Sequence, residues 1–287
     1  MNLRLRLLIG AVVVLAIALP VAIGVAVWRS GTPRGATGGP SAPPLSAVSA
    51  DQDRAVAAVL SAVGERAAVA VTSAVPVRAC TVGGAHGWVY GRSADLYLDP
   101  GGEDALIGTV AAALPSEYRR QTGADRAPLR HATPRGGAAT GGGAAPFTAQ
   151  VGGSVTLTVA QLGEGWVRAT AQSDCRTAGS TSAPAPAGTA AAAIAVLLNS
   201  LGTAPDSMHA NVLPCTGGGD TVTWAAVSGT VDSGQIQNRL APVVPPTARR
   251  FASPANRLPW RDGHTSVIVA ASDDGTHVTV QYTVDCG

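Results

Sequence analysis

The chain has 287 residues, of which 13% are charged and 4% are aromatic, and its formal net charge at pH 7 is +2. So small a net charge gives no argument for nucleic acid as a partner. All 20 basic residues are arginine, which, with abundant Ala, Gly, Val and Pro, indicates a high-GC bacterium. Since aromatic side chains are scarce, the core is built from smaller apolar residues, and it benefits from covalent cross-links.

Residues 7–28 are the first predicted element, an apolar run of 22 residues without a charged side chain. As a helix, this run is about 33 Å long at about 1.5 Å per residue, enough to cross the bilayer core. Arg4 and Arg6 precede it and favour a cytoplasmic N-terminus, residues 1–6. The alternative is a signal peptide that is cleaved to release a secreted protein. Against it, the run exceeds the usual signal-peptide length of about 7–15 apolar residues. We therefore expect a single-pass anchor in the lipid bilayer, with the following chain extracytoplasmic.

Residues 29–50 are predicted to be a flexible tether, because they are rich in Gly, Pro, Ser and Ala. Beyond the tether, two similar segments follow, residues 51–175 and residues 188–287, joined by a linker at residues 176–187. The two segments share a pattern of apolar residues, proline and an arginine pair at one constant offset. In the first segment the pattern is Leu106, Val110, Leu114, Pro115, Arg119 and Arg120; in the second it is Ile236, Leu240, Val244, Pro245, Arg249 and Arg250. This repetition predicts an internal duplication.

Helical and two-residue periodicities predict the same order of elements in both segments. In the first, the helices are at residues 51–63 and 104–114, and the strands at 67–77, 88–98, 151–159 and 166–175. In the second, the helices are at 190–201 and 232–244. One strand ends at Cys215, and the other three cover 221–227, 265–271 and 277–286. The order α-β-β-α-β-β predicts an α+β fold. Each repeat is then a four-stranded, mostly antiparallel sheet with its helices on one face and one disulfide. Residues 134–146 read as a low-complexity loop.

Four cysteines follow the apolar run, two in each repeat. Four cysteines allow three connectivities, and the duplication favours Cys80–Cys175 and Cys215–Cys286, because each repeat is expected to be self-contained. Each bond closes a long loop, which is worth about 4–5 kcal/mol by the chain-entropy argument. A metal site is disfavoured because there is no C-x-x-C pair, and a redox-active pair is the less favoured alternative.

The sequence contains no recognised catalytic motif, and we expect no cofactor, no metal and no nucleic acid as partner. Its five histidines are scattered and fit solvated surface positions. The arginine pairs Arg119–Arg120 and Arg249–Arg250 are the possible anion-binding residues, since guanidinium groups suit phosphate or carboxylate. The competing interpretation is a solvated pair near a helix C-terminus. Trp88 and Trp224 lie at similar distances after the first cysteine of each repeat and fit core packing, with an exposed binding stripe as the alternative.

These features favour a non-enzymatic binding or interaction protein anchored at the outer face of the membrane. Its partner is expected to be an envelope protein or an anionic envelope ligand. Two alternatives stay open: a cell-envelope hydrolase with an unrecognised site, and a purely structural envelope protein. A Ser/His contact or two contacting carboxylates in a pocket would favour the hydrolase.

Overall fold

The computed structural model describes residues 45–120, 146–177, 189–229, 235–272 and 276–286. These ranges form one compact unit, residues 42–287, with an α+β fold that contains two antiparallel sheets. Within these ranges no helix is both long enough and apolar enough to cross a membrane. The predicted membrane helix at residues 7–28 lies outside the described residues, as do most of the tether and most of the 134–146 loop.

The first half contains two helices, α1 (Leu45–Val63) and α2 (Glu103–Ala113), and one 3-10 turn, Gly64–Arg66. Its strands are β1 (Ala68–Val71), β2 (Val75–Val82), β3 (Ala85–Tyr97), β4 (Arg119–Arg120), β5 (Phe147–Val151), β6 (Val155–Gly163) and β7 (Trp166–Ser173). The second half contains helices α3 (Thr189–Ser200) and α4 (Ile236–Leu240). Its strands are β8 (Pro205–Pro214), β9 (Asp220–Ser228), β10 (Arg249–Arg250), β11 (Arg257–Asp262), β12 (Thr265–Ala271) and β13 (Val278–Val284).

The two sheets have the same order of strands. The first runs β4-β5-β6-β7-β3, with β1 and β2 both paired to β3, and the second runs β10-β11-β12-β13-β9-β8. Strands β10 to β13 therefore take the places of β4 to β7, while β9 takes the place of β3. Strand β8 stands where the first half has β1 and β2. The arginine pairs of the shared sequence pattern form β4 and β10, the short edge strands of the two sheets.

Each half has its own apolar core between one sheet face and its helices. In the first half, period-two strands such as β6 place Val155, Leu157 and Val159 inward, where they pack under α1 and α2. In the second half, Ile194 and Leu198 of α3 are fully buried in the same cluster as Val280 of β13. In each half, helices therefore pack on one face of the sheet.

Strand β1 connects the two halves. Val69 and Val71 point into the first core, whereas Ala68 and Ala70 pack in a separate cluster that includes Ile268 of β12. Tyr97 and Phe251 complete this cluster. Polar contacts join the same surfaces: the Val71 N–H donates to Thr223 Oγ1 at 3.0 Å, and Asn211 Nδ2 donates to Val71 O at 3.1 Å. The outer face of the second sheet is therefore covered by a strand of the first.

Several elements differ from their predicted bounds. The sheets have seven and six strands where four were predicted in each, because β4 and β5 in the first and β10 and β11 in the second add ladders before the closing hairpins, and the strand predicted at 67–77 is divided between β1 and β2. The strand predicted at 151–159 is broken at Gly152–Gly153, whose φ angles of 59° and 77° make the turn between β5 and β6. Of the helix predicted at 232–244, the described residues 235–244 contain α4, which ends at Leu240 because Pro242 cannot continue the backbone ladder. Residues 45–50, assigned to the tether, form the first turns of α1.

The cysteines lie in disulfide range in the predicted connectivity. The Cα atoms of Cys80 and Cys175 are 5.8 Å apart, and those of Cys215 and Cys286 are 6.3 Å apart. In each half the bond links the end of the last long strand to the edge of the sheet. The first bond crosses β3 at Gly87, where an added Cβ would lie 2.6 Å from Arg176 O and 3.0 Å from Cys175 Sγ. A glycine is therefore required at position 87 for the close approach.

Candidate functional site

Two cavities to which both halves contribute lie along α1. One, which we call the seam cavity, has a volume of about 360 Å³. Its lining from the first half is the C-terminal part of α1 and the following turn, including Ser61 and Glu65. Its lining from the second half comes from the β8–β9 and β11–β12 turns and the C-terminal segment, with Arg261, His264 and Asp285. The seam cavity is therefore a product of the packing of one half on the other.

Asp285 organises the charged wall of the seam cavity. Its carboxylate accepts a hydrogen bond from Arg261 Nη2 at 2.5 Å, and its other oxygen lies 3.2 Å from His264 Nδ1. Arg261 is 6% exposed at its side chain, and it also donates to Ala67 O of the first half at 3.3 Å. His264 is 59% exposed. The buried cation is thus neutralised by Asp285, while His264 remains in contact with solvent.

A second cavity, the α1 cavity, adjoins the seam cavity, since Thr216 lines both. It has a volume of about 730 Å³ and is lined by Arg54 of α1, by Tyr118 and by the β5–β6 turn. Asp174 also lines it, and this residue precedes the second cysteine of its half as Asp285 does. The two cavities therefore meet at Thr216, and residues of α1 line both of them.

The structure places the predicted arginine pairs on equivalent edge strands. Arg119 pairs with Gln150 and Arg120 with Ala149 in the β4–β5 ladder; their side chains lie outside the described part. Arg249 and Arg250 are exposed, yet both already have partners. Arg249 binds Asp99 of the first half at 2.8 Å and lies 4.8 Å from the Phe251 ring, whereas Arg250 donates to Ala241 O at 3.1 Å.

Asp99 and Arg249 form a polar contact between the halves. The Asp99 carboxylate accepts from Arg249 Nη2 and from the Ala252 N–H at 3.2 Å. The Arg249 guanidinium lowers the pKa of the Asp99 carboxyl below its ordinary value, and the Ala252 N–H acts in the same direction. Both residues line a third cavity of about 270 Å³, together with Arg66.

Sequence reasoning missed the buried ion pairs. Arg92 is paired with Asp53 of α1 and also donates to Val212 O of the second half. Burial raises the pKa of the Asp53 carboxyl, and the Arg92 guanidinium opposes that rise. Arg168 binds Asp95 at 2.7 Å. No signal in the sequence connects these residues, because each pair is brought together by strand and helix packing across 39 and 73 positions.

The predicted tryptophans have different environments. Trp88 is 38% exposed on β3, whereas Trp224 is half-buried and lies 6.2 Å from the Tyr282 ring. Trp166, which the sequence did not single out, stacks on Tyr97 with ring centroids 5.9 Å apart. Burial raises the pKa of Tyr97 to about 12.

Among the described residues, no group of three or more His, Cys, Asp or Glu side chains is placed to hold a metal ion.

Comparison with known proteins finds no relative: no protein-family model matches the chain, and no curated protein or solved structure is significantly similar to it.

Proposed function

We propose that the protein is a non-enzymatic binding protein, held at the outer face of the membrane of a high-GC bacterium by residues 7–28. Its binding surface is the seam cavity together with the α1 cavity. Its ligand is an envelope protein or an anionic envelope ligand. The observation that carries the proposal is that both halves contribute to the seam cavity, with α1 on one side and the β11–β12 turn on the other.

Three properties of this surface suit binding. The cavities have volumes in the range of ligand sites, about 300–1,000 Å³. The lining carries charged groups of both signs, Arg54 and Arg261 against Glu65 and Asp174, so it can orient a ligand with several polar groups. The disulfide Cys215–Cys286 lies in the wall and restrains the segment that carries Asp285.

A substitution at Thr216 tests the proposal, since this exposed residue lines both cavities. Full-length protein in detergent is used as bait for a solubilised envelope fraction. We expect Thr216→Trp to lose the captured component, because the indole fills the junction of the cavities. Thr81→Trp, an exposed position outside both cavities, is the matched control. Equal capture by both variants would refute binding at this surface.

The location is tested separately. A reporter that needs export, fused after Gly287, is expected to be active, because Arg4 and Arg6 favour a cytoplasmic N-terminus. Activity of a cytoplasm-dependent reporter at the same place would contradict an extracytoplasmic location.

A hydrolase is the second candidate, and one observation favours it. His264 Nδ1 faces the Asp285 carboxylate in the seam cavity, which Ser61 also lines, and this is the orientation of a base and its orienting acid. Against it, no described hydroxyl is hydrogen-bonded to His264, and Asp285 is already neutralised by Arg261. Hydrolysis of envelope material by the wild type, lost in both Ser61→Ala and His264→Ala, would establish this candidate.

A further inference from the structure

The third cavity contains two arginines that come together only in the folded molecule. Arg66 belongs to the 3-10 turn after α1, and Arg249 to β10 of the second half. Asp99 is the one acidic residue among the lining residues, so the charge of the lining is +1. The complete lining is Arg66, Leu98, Asp99, Gly102, Ala105, Leu106, Thr109 and Arg249.

We propose that this cavity, the Arg66–Arg249 cavity, binds an oxyanion, a phosphate or a carboxylate, between its two guanidinium groups, and that Asp99 competes with the ligand for Arg249. This cavity shares no lining residue with the seam cavity or the α1 cavity, so the inference adds a second site to the proposed function. It also divides the predicted pair Arg249–Arg250. Arg249 lines the cavity, while Arg250 donates to Ala241 O and is not part of the lining.

Both guanidinium groups keep donors for a ligand. A guanidinium has five N–H donors, and Arg249 uses Nη2 for Asp99. Arg66 donates from Nη1 to Ala62 O at 3.1 Å, and it has no acidic partner among the described residues. The guanidinium carbon of Arg249 lies 4.8 Å from the centre of the Phe251 ring, a cation–π contact that supports this side chain at the cavity.

Asp99 is placed to compete without closing the site. Its bond to Arg249 is exposed, with 57% of the Arg249 side chain and 53% of the Asp99 side chain accessible. Exposed ion pairs of this kind are weak because water and salt screen them. The Ala252 N–H keeps the Asp99 carboxylate in position when Arg249 turns to a ligand. An incoming oxyanion therefore replaces one carboxylate contact and gains Arg66.

The test uses the full-length chain in nanodiscs of neutral phosphatidylcholine, titrated calorimetrically with inorganic phosphate at low ionic strength. We expect saturable binding that weakens with salt. Arg66→Gln and Arg249→Gln are each expected to weaken binding by about tenfold, as for the loss of a charge-assisted hydrogen bond. Arg250→Gln, the neighbouring control, is expected to weaken binding less than either of them, because Arg250 donates to Ala241 O and does not line the cavity. Asp99→Asn is expected to strengthen binding by about threefold or more, because it removes a competing charge.

A second arm identifies the source of the oxyanion. Nanodiscs that contain phosphatidylglycerol supply phosphodiester headgroups next to the anchored domain. If the site takes a headgroup, the apparent affinity for added phosphate falls more for wild type than for Arg66→Gln in these discs. If it takes a soluble oxyanion, the affinity of both falls alike, through the general repulsion of phosphate by the anionic surface. In both cases the site binds an oxyanion.

Absence of saturable phosphate binding overturns the inference, as does equal binding by wild type, Arg66→Gln and Arg249→Gln. Weaker binding by Asp99→Asn also overturns it, because Asp99 then supports the ligand and does not compete with it. These failures leave the proposed function intact when Thr216→Trp still abolishes capture of the envelope component. Conversely, if Thr216→Trp captures the envelope component as wild type does while phosphate still binds, the proposed function fails and the oxyanion site stands.

Discussion

Asp174 and Asp285 occupy the same backbone position in the two halves. Of these two aspartates, only Asp285 forms ion pairs among the described residues, with Arg261 and His264. Each backbone N–H donates to a carbonyl of the preceding turn at 2.9 Å, Asp174 to Ser154 and Asp285 to His264. The carboxylate of Asp285 neutralises the buried Arg261, whereas the carboxylate of Asp174 is exposed beside the α1 cavity. The aspartate that precedes the second cysteine thus has different partners in the two halves.

Asp285→Asn is expected to lower the free energy of unfolding by about 3–5 kcal/mol, because it leaves the buried Arg261 without its counter-charge. Asp174→Asn, its counterpart, is expected to change stability by less than about 0.5 kcal/mol, as exposed substitutions usually do. Urea unfolding of the two variants measures the difference. Equal effects of the two substitutions would mean that the Arg261–Asp285 ion pair adds nothing to the free energy of unfolding.

Gly87→Ala is expected to destabilise the protein by about 1–3 kcal/mol, since its Cβ would lie 2.6 Å from Arg176 O beneath the disulfide. Gly108→Ala, in α2, meets no atom within 4 Å and is expected to stabilise by up to about 1 kcal/mol through helix propensity. Thermal unfolding of both variants checks the pair of signs. A neutral Gly87→Ala would show that the backbone at β3 moves away from Cys175 at no cost.

The predicted elements agree with the structure wherever the local pattern is strong. Helix α2 was expected at 104–114 and is Glu103–Ala113, and α3 was expected at 190–201 and is Thr189–Ser200. In both, the spacing of the apolar residues in the local sequence is enough to predict the helix. The cysteine connectivity was also predictable, because it follows from the repeat.

The elements that were missed depend on contacts between distant residues. Strand β11 contains Pro259 and two arginines, a composition that argues against a strand, yet Leu258 to Arg261 are all buried between β10 and β12. The cavities were not predictable either, since the seam cavity requires α1 to meet turns about 150–220 positions further along the chain. The periodicity of a segment predicts its own secondary structure but not which distant segments it will contact.

Removing either disulfide is expected to lower stability by about 4–5 kcal/mol, because the closed loops span 95 and 71 positions. The Cys80→Ser/Cys175→Ser and Cys215→Ser/Cys286→Ser variants are compared with wild type by denaturant unfolding. Non-reducing peptide mapping provides the control for connectivity. A bond between Cys80 and Cys215 would contradict the pairing within each half.

The Asp99–Arg249 contact is expected to stabilise the protein only above acidic pH. The folded pKa of Asp99 lies below the ordinary 3.8, so the contribution is present above about pH 3.8 and is lost as pH falls through the lowered pKa. Because the pair is exposed, Asp99→Asn is expected to cost less than about 1 kcal/mol at pH 7. Urea unfolding at pH 7 and below pH 3 measures whether the difference disappears in acid. If the stability difference between wild type and Asp99→Asn grew in acid, the expected pH dependence would be wrong.

The two halves are expected to unfold in one transition, because Ala68 and Ala70 of β1 pack with Ile268 of β12. Ile268→Ala, at a position 1% exposed, is expected to lower stability by about 2–5 kcal/mol and to shift the whole transition. Val196→Ala, at a position 54% exposed, is the control with a small effect. Scanning calorimetry that resolves two transitions, with only one of them moved by Ile268→Ala, would show independent halves.

The position of β1 has a consequence for the order in which the chain is completed. Its residues Ala68–Val71 belong to the first sheet, but Val71 needs Thr223 for its N–H and Ala70 needs Ile268 for its outer side. During synthesis from the N-terminus, about 200 residues must follow β1 before both partners exist. Until then the nascent first half presents an unfinished apolar surface. We therefore expect the first half to become resistant to proteases only after β12 has been synthesised.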